Sequence, residues 1–114
     1  MNDVAARTLS TYELADHTGL TYRQIDYWCR TEPELFEPRP VEGMGQGTQR
    51  RFDARHIARF ERAALLIRAV GQFTGGSDFT VAVEQLARFV RDTEDVPAPW
   101  VLVLSPNATL TIIP

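Results

Sequence analysis

The chain has 114 residues, one cysteine and a formal net charge of −3, and it carries no apolar run long enough to span a bilayer. That length fits one domain, or a small domain with an appendage, whose modest core would gain from oligomerisation. The lone Cys29 excludes an internal disulfide and a paired-thiol metal or redox motif, and without a charged-then-apolar leader the expected address is cytoplasmic.

Met1 to Leu9 has no strong period, and Thr8-Leu9 reads as a short edge strand or the lead-in to the first helix. Ser10-Thr11-Tyr12-Glu13 is a capping signature, with Tyr12, Leu14 and Ala15 following it before Asp16-His17-Thr18-Gly19 ends the segment. Gly19 suits the left-handed backbone of a tight turn between helices. After Leu20, Thr21 and Gln24 form a second capping pair, predicting a helix over about 21–30. Ile25 and Trp28, one turn apart, share its apolar side and leave Tyr22, Arg23 and Tyr27 for an outside partner. Helix, glycine-bearing turn and second helix together spell a helix-turn-helix, whose second helix would be the one to enter a DNA groove.

Residues 31–40 contain three prolines, which forbid a long helix and favour extended backbone, with Leu35 and Phe36 as core anchors. Residues 41–52 place three glycines in five residues between a Pro-Val lead-in and the basic, aromatic exit Gln49-Arg50-Arg51-Phe52, which predicts a hairpin tip between two short strands. The competing nucleotide-loop reading lacks both the Lys-Ser/Thr of a P-loop and a preceding parallel strand. Asp53 stands at a cap position for the longest predicted helix, Ala54 to Val70, in which Ile57, Phe60, Ala63, Ala64 and Ile67 recur at helical spacing and the arginines take other faces. Glycines from Gly71 break the pattern, and Thr80 caps a fourth helix, Val81 to Thr93, with a stripe of Val83, Leu86, Ala87 and Val90. A proline-punctuated linker, 94–99, leads to two β-rich runs separated by Ser105-Pro106-Asn107-Ala108, hence a C-terminal β-hairpin over 100–114. Such a hairpin must pack on the helices or pair with another chain.

A negative net charge counts against nucleic acid, because affinity rests on neutralising phosphates. Its distribution is uneven. All 12 basic side chains are arginine, and after Gly71 only Arg88 and Arg91 face Asp78, Glu84, Asp92, Glu94 and Asp95. The net negative charge therefore lies in the tail after Gly71, while the arginines and carboxylates before it balance. No Ser/His/Asp set, framed carboxylate pair or metal-binding motif occurs, so no catalytic residue, cofactor or metal is expected. Cys29 reads as a buried filler, and His17 and His56 as surface or capping residues.

From Thr8 to about Val90 the sequence resembles the DNA-binding domain of the MerR family, the bacterial winged helix-turn-helix regulators. Tyr12-Glu13-Leu14-Ala15 and Thr18-Gly19-Leu20-Thr21 match its opening helix and turn, and Ile25-Asp26-Tyr27-Trp28 its Ile-Arg-Tyr-Tyr stretch. Gln49-Arg50-Arg51-Phe52-Asp53 matches the wing exit, and Gly75 to Thr80 the Gly-Phe-Ser before the fourth helix. The resemblance implies a mainly α fold with small β: a winged helix-turn-helix of four helices and a wing over residues 1–93. It further implies that Thr21, Tyr22, Arg23 and Gln24 face bases or nearby phosphates, that Tyr27 reaches a phosphate, and that Arg50 and Arg51 clamp the backbone. Asp26 departs from the family's arginine and is placed to tether Arg23 or Arg30 instead, and Gln49 replaces a tyrosine. A linker and hairpin stand where the family has its long coiled-coil helix, so a metal- or drug-sensing role is not carried over.

The expected function is a sequence-specific DNA-binding transcriptional regulator, a homodimer on double-stranded DNA with the hairpin as dimer element. An excisionase-like architectural factor is one alternative, a protein-interaction module that has lost DNA binding another. RNA polymerase or a recombinase is the protein partner that the regulator or the architectural factor would meet.

Overall fold

A computed structural model describes residues 8–38, 50–74, 83–104 and 110–113. The chain divides into two compact units, residues 1–64 and 65–114. Its elements are α1 (Thr11–Thr18), α2 (Tyr22–Thr31), α3 (Pro33–Phe36), α4 (Ala54–Thr74), α5 (Val83–Thr93), β1 (Val101–Leu104) and β2 (Leu110–Ile113). The fold is mainly helical with a small β component, as the sequence predicts.

In the first unit the helix starts are set by local side chains. Ser10 Oγ accepts from the Glu13 N–H at 3.2 Å while the Ser10 N–H donates to Glu13 Oε1 at 2.8 Å, closing a capping box on α1. Gly19 then adopts φ 81°, and its N–H donates to the Ala15 carbonyl at 2.8 Å. Thr18 stitches the same turn from inside, donating to the Leu14 carbonyl and accepting from the Leu20 N–H. Leu20 is buried beside it in sequence, so the turn is both hydrogen-bonded and anchored.

α2 repeats the capping pattern. It buries Ile25, Trp28 and Cys29, the last fully enclosed with its Sγ 3.5 Å from the Phe36 carbonyl. α3 departs from the extended backbone that the prolines of 31–40 favour: Pro33 occupies the first helical position, where its missing N–H and fixed φ are no handicap, and one turn of helix carries Leu35 and Phe36 inward. Arg59 of α4 is buried too and donates from Nη1 to the Leu35 carbonyl at 2.8 Å. Phe60 is the hub of the core, with ring centroids 4.9 Å from Phe36, 5.5 Å from Phe52 and 6.1 Å from Trp28. The Phe36 ring is tilted, that of Phe52 edge-on and that of Trp28 stacked, and tilted, edge-on and offset-stacked pairs all suit the ring quadrupoles.

The lead-in forms a bridge, not a regular strand. Leu9 and Phe52 exchange both backbone hydrogen bonds, at 2.9 and 2.8 Å, in an isolated antiparallel pair. The predicted hairpin tip at 41–49 lies outside the described residues. Asp53 does cap α4, its Oδ1 accepting from the His56 N–H at 3.0 Å.

In the second unit α4 continues to Thr74, past the predicted stop at Gly71. One glycine costs a helix about 1 kcal/mol relative to alanine, which is not enough to end it. Leu66 and Val70 of α4 are buried, as are Leu86, Ala87, Phe89, Val90 and Thr93 of α5, whereas the predicted Val83 is only half-buried. The predicted cap at Thr80 lies outside the described residues. After α5, Trp100 packs edge-on against Phe89 at 5.3 Å and donates from Nε1 to the Val96 carbonyl at 3.1 Å. β1 and β2 pair antiparallel with Val101 opposite Ile113 and Val103 opposite Thr111. These four share one face of the ribbon, and Val101, Val103 and Ile113 are exposed.

Candidate nucleic-acid interface

α2 has two distinct sides, and the outer one holds most of the residues expected to meet DNA. Thr21, Tyr22, Arg23 and Tyr27 are all exposed, Tyr22 by 40% and Tyr27 by 49%. Arg23 makes no hydrogen bond or ion pair among the described residues, so its guanidinium is uncommitted. Thr21 and Gln24 have a first duty to the helix itself. Thr21 Oγ1 accepts from the Gln24 N–H at 3.1 Å, and Gln24 Oε1 accepts from the Thr21 N–H at 2.9 Å.

A residue that sequence reasoning passed over joins them. Tyr12, on α1, is 71% exposed, and its ring lies 4.8 Å from that of Tyr22 at a tilt of 30°. The pair extends the outer surface from α2 onto α1. Its signal in the sequence was present but unused: Tyr12 falls two residues before Leu14, off the apolar stripe of α1.

Arg50 and Arg51, expected to act as one clamp, have different surroundings. Arg50 turns inward, its side chain 14% exposed, donating from Nη1 to Asp26 Oδ1 at 2.8 Å and from Nε to Glu37 Oε1 at 3.1 Å. Arg51 is more open. Its Nε and Nη2 donate to the Thr8 hydroxyl and carbonyl at 2.9 and 3.0 Å, while Nη1 stands 3.8 Å from Glu13 Oε1.

Asp26 tethers Arg30, one of the two partners expected for it, through Nε at 3.0 Å, and tethers Arg50 as well. The hydrogen bond from Arg50, with the charge of Arg30 behind it, holds the Asp26 carboxyl below the usual aspartate range despite partial burial. Glu13 is lowered likewise, by the Ser10 backbone and hydroxyl of its capping box.

Other titratable groups have structural partners. His17 Nε2 lies 2.7 Å from Glu61 Oε2 on the surface, and His56 Nδ1 lies 2.9 Å from Asp53 Oδ1 at the start of α4. Burial pushes the Cys29 thiol up to about 12, so it is a packing group and not a reactive thiolate. Among the described residues no cluster of His, Cys, Asp and Glu could hold a metal ion, and no helix is long and apolar enough to cross a membrane.

These features agree with what is known of related sequences. Residues 9–71, more than half of the chain, match the family described as MerR HTH family regulatory protein. The match runs from the Leu9 bridge through α1, α2 and α3 into α4, and does not include α5 or the β-ribbon. No curated protein and no solved structure matches the chain significantly. With its capped helix-turn-helix and this family match, the chain belongs to the MerR helix-turn-helix family of DNA-binding transcriptional regulators.

Proposed function

We propose that this protein is a sequence-specific transcriptional regulator whose α2 lies in a DNA major groove, with Thr21, Tyr22, Arg23, Gln24 and Tyr27 on the DNA side. The observation that carries the reading is the uncommitted Arg23 between two exposed tyrosines, on a helix whose opposite side is buried. A guanidinium presents the donor fork that matches guanine O6 and N7, and the tyrosines offer ring edges to sugars and hydroxyls to phosphates. Tyr12 belongs to the same surface. Arg51, with the segment at about 41–52, grips flanking phosphates. No catalytic step, cofactor or metal enters this reading, and its setting is the cytoplasm, where the regulator meets RNA polymerase.

A single short helix covers only a few base pairs, so we assign the working form to a homodimer on half-sites near multiples of one helical turn, ~34 Å. The β-ribbon suits the contact between copies. Its exposed Val101, Val103 and Ile113 form an apolar face, and a two-stranded ribbon is marginal alone.

The test is selection of bound duplexes from random DNA, followed by titration at two salt concentrations and a mass measurement in solution. Arg23→Ala should cost about 1–3 kcal/mol on the selected site and relax one base position, whereas Arg51→Ala should weaken all sequences alike and reduce the salt dependence. Equal loss on selected and random DNA for Arg23→Ala would overturn the division of labour. Val103→Glu should give a monomer if the ribbon is the dimer contact. The exposed ribbon also favours one other reading, a protein-interaction module that adds a strand to a partner's sheet, and absence of any DNA binding at low salt would select it.

A further inference from the structure

Arg50 sits where two stretches of chain and a helix meet. Glu37 follows α3 and Arg50 begins the next described stretch, so the bond between them joins residues 13 apart in sequence across the base of the segment between. From the same guanidinium a second bond runs to Asp26 on α2, 24 residues away. Asp26 is itself braced, its other oxygen accepting from Arg30 one turn along the helix. The group contains two guanidinium cations and two carboxylates, so its formal charge cancels. Arg50 is also the least exposed of the four side chains, at 14%, against 28% for Asp26, 38% for Glu37 and 63% for Arg30.

A cation placed in this way is a poor phosphate ligand. To reach DNA it would leave two charge-assisted bonds and strand two carboxylates beside the phosphate backbone. The same bonds are well suited to another task. A planar fork that engages two carboxylates from different elements fixes their mutual geometry, which a point charge such as lysine cannot do.

We propose that Asp26, Arg50 and Glu37 form a clasp that sets the position of α2 relative to the chain leaving Glu37 and arriving at Arg50, with Arg50 a positioning residue and not a phosphate contact. The proposal rests on the assignment of α2 as the groove-reading helix. Preorganisation of this sort acts on discrimination: a misplaced helix still meets phosphates but no longer aligns with base edges. Loss of the clasp therefore lowers the affinity for the selected site more than the affinity for random sequence.

The test uses the full chain with Asp26→Asn, Glu37→Gln, Arg50→Gln, Arg50→Lys and the double variant Asp26→Asn/Arg50→Gln. Each is titrated with the duplex selected by the unsubstituted protein and with a scrambled duplex over a range of salt, and each is unfolded in urea to confirm that it is folded under binding conditions. Asp26→Asn and Arg50→Gln should each lose about tenfold on the selected duplex and much less on the scrambled one. The double variant should be no worse than either single one, the salt slope should stay that of the unsubstituted protein, and Arg50→Lys should fall between.

A salt slope that drops by about 0.9 for Arg50→Gln, with Asp26→Asn binding as well as the unsubstituted protein or better, would show a phosphate contact and overturn the proposal. So would variants that lose stability in urea but discriminate normally. If the unsubstituted protein binds neither duplex while Asp26 and Arg50 remain coupled in urea, the assignment of α2 fails and the positioning role falls with it. Binding without coupling removes the clasp alone.

Discussion

Thr21 gives the sharpest separation of folding from recognition, because it caps α2 and stands among the residues proposed to face DNA. Its hydroxyl accepts from the Gln24 N–H at 3.1 Å and donates to Gln24 Oε1 at 3.3 Å. Removing a Ser, Thr, Asp or Asn cap costs about 1 kcal/mol, which for a domain of this size lowers Tm by about 4–8 °C. Thr21→Ala should show that loss and little change in DNA affinity once the helix is folded, since Ile25, Trp28 and Cys29 keep α2 docked. Thr21→Asp should differ. A carboxylate caps at least as well as a hydroxyl and favours a helix N-terminus, while facing Gln24 Oε1 without a proton to donate offsets part of that gain, so stability should stay within about 0.5 kcal/mol. On DNA the same charge is repelled by phosphates, with about a tenfold loss at low salt that shrinks as salt rises. Urea unfolding followed by circular dichroism and fluorescence anisotropy at two salt concentrations measure both. An aspartate that destabilises as much as alanine would refute the cap, and one that binds DNA like threonine would refute the orientation of α2.

The other expectations concern single features of the fold. Gly19 has φ 81° and open space where a Cβ would stand, so Gly19→Ala should cost only the left-handed backbone energy, about 1 kcal/mol, and Gly19→Asn less. A urea-measured loss above about 3 kcal/mol would indicate crowding instead. Because its pKa is lowered in the folded state, Asp26 contributes stability above the ordinary aspartate value of about 3.9 and loses it as pH falls through its own lower value. The stability gap between the unsubstituted protein and Asp26→Asn should accordingly close on acidification, and a gap that widens would reverse the assigned sign. Cys29 should resist alkylation at neutral pH until the protein opens, its labelling rate tracking urea concentration; rapid labelling of the native state would contradict its burial. Phe60→Ala removes the ring shared by three others and should cost about 3–5 kcal/mol, most of the stability of a small domain.

What could be read in advance was what depends on near neighbours in the chain. Both capping boxes join residues three apart, Gly19 is specified by its own backbone, and Trp28 falls in register with Ile25. Arg50 and Arg51 were legible as a basic pair but not as two residues with separate partners, because Asp26 lies 24 and Thr8 lies 43 residues away. No local pattern encodes such distances. α3 was hidden by reading proline as a breaker, when at a first helical position it is a starter. Gly71 misled in the opposite sense, since one weak position costs a helix too little to end it. Tyr12 was read only as one of the apolar residues after a cap, and its exposure became visible when Tyr22 was placed against it.

The Leu9–Phe52 bridge has a consequence for engineering. With both backbone bonds made, the two Cα atoms of such a pair stand about 5.5 Å apart, so the polypeptide arrives at and departs from the helix-turn-helix at nearly the same spot. Residues 10–51 therefore begin and end side by side, while the core beneath them is completed from outside by Phe52 and Phe60. A graft of the recognition surface onto another scaffold would accordingly carry the chain on through Phe60, so that the adjoining ends and the ring that fills their core travel together.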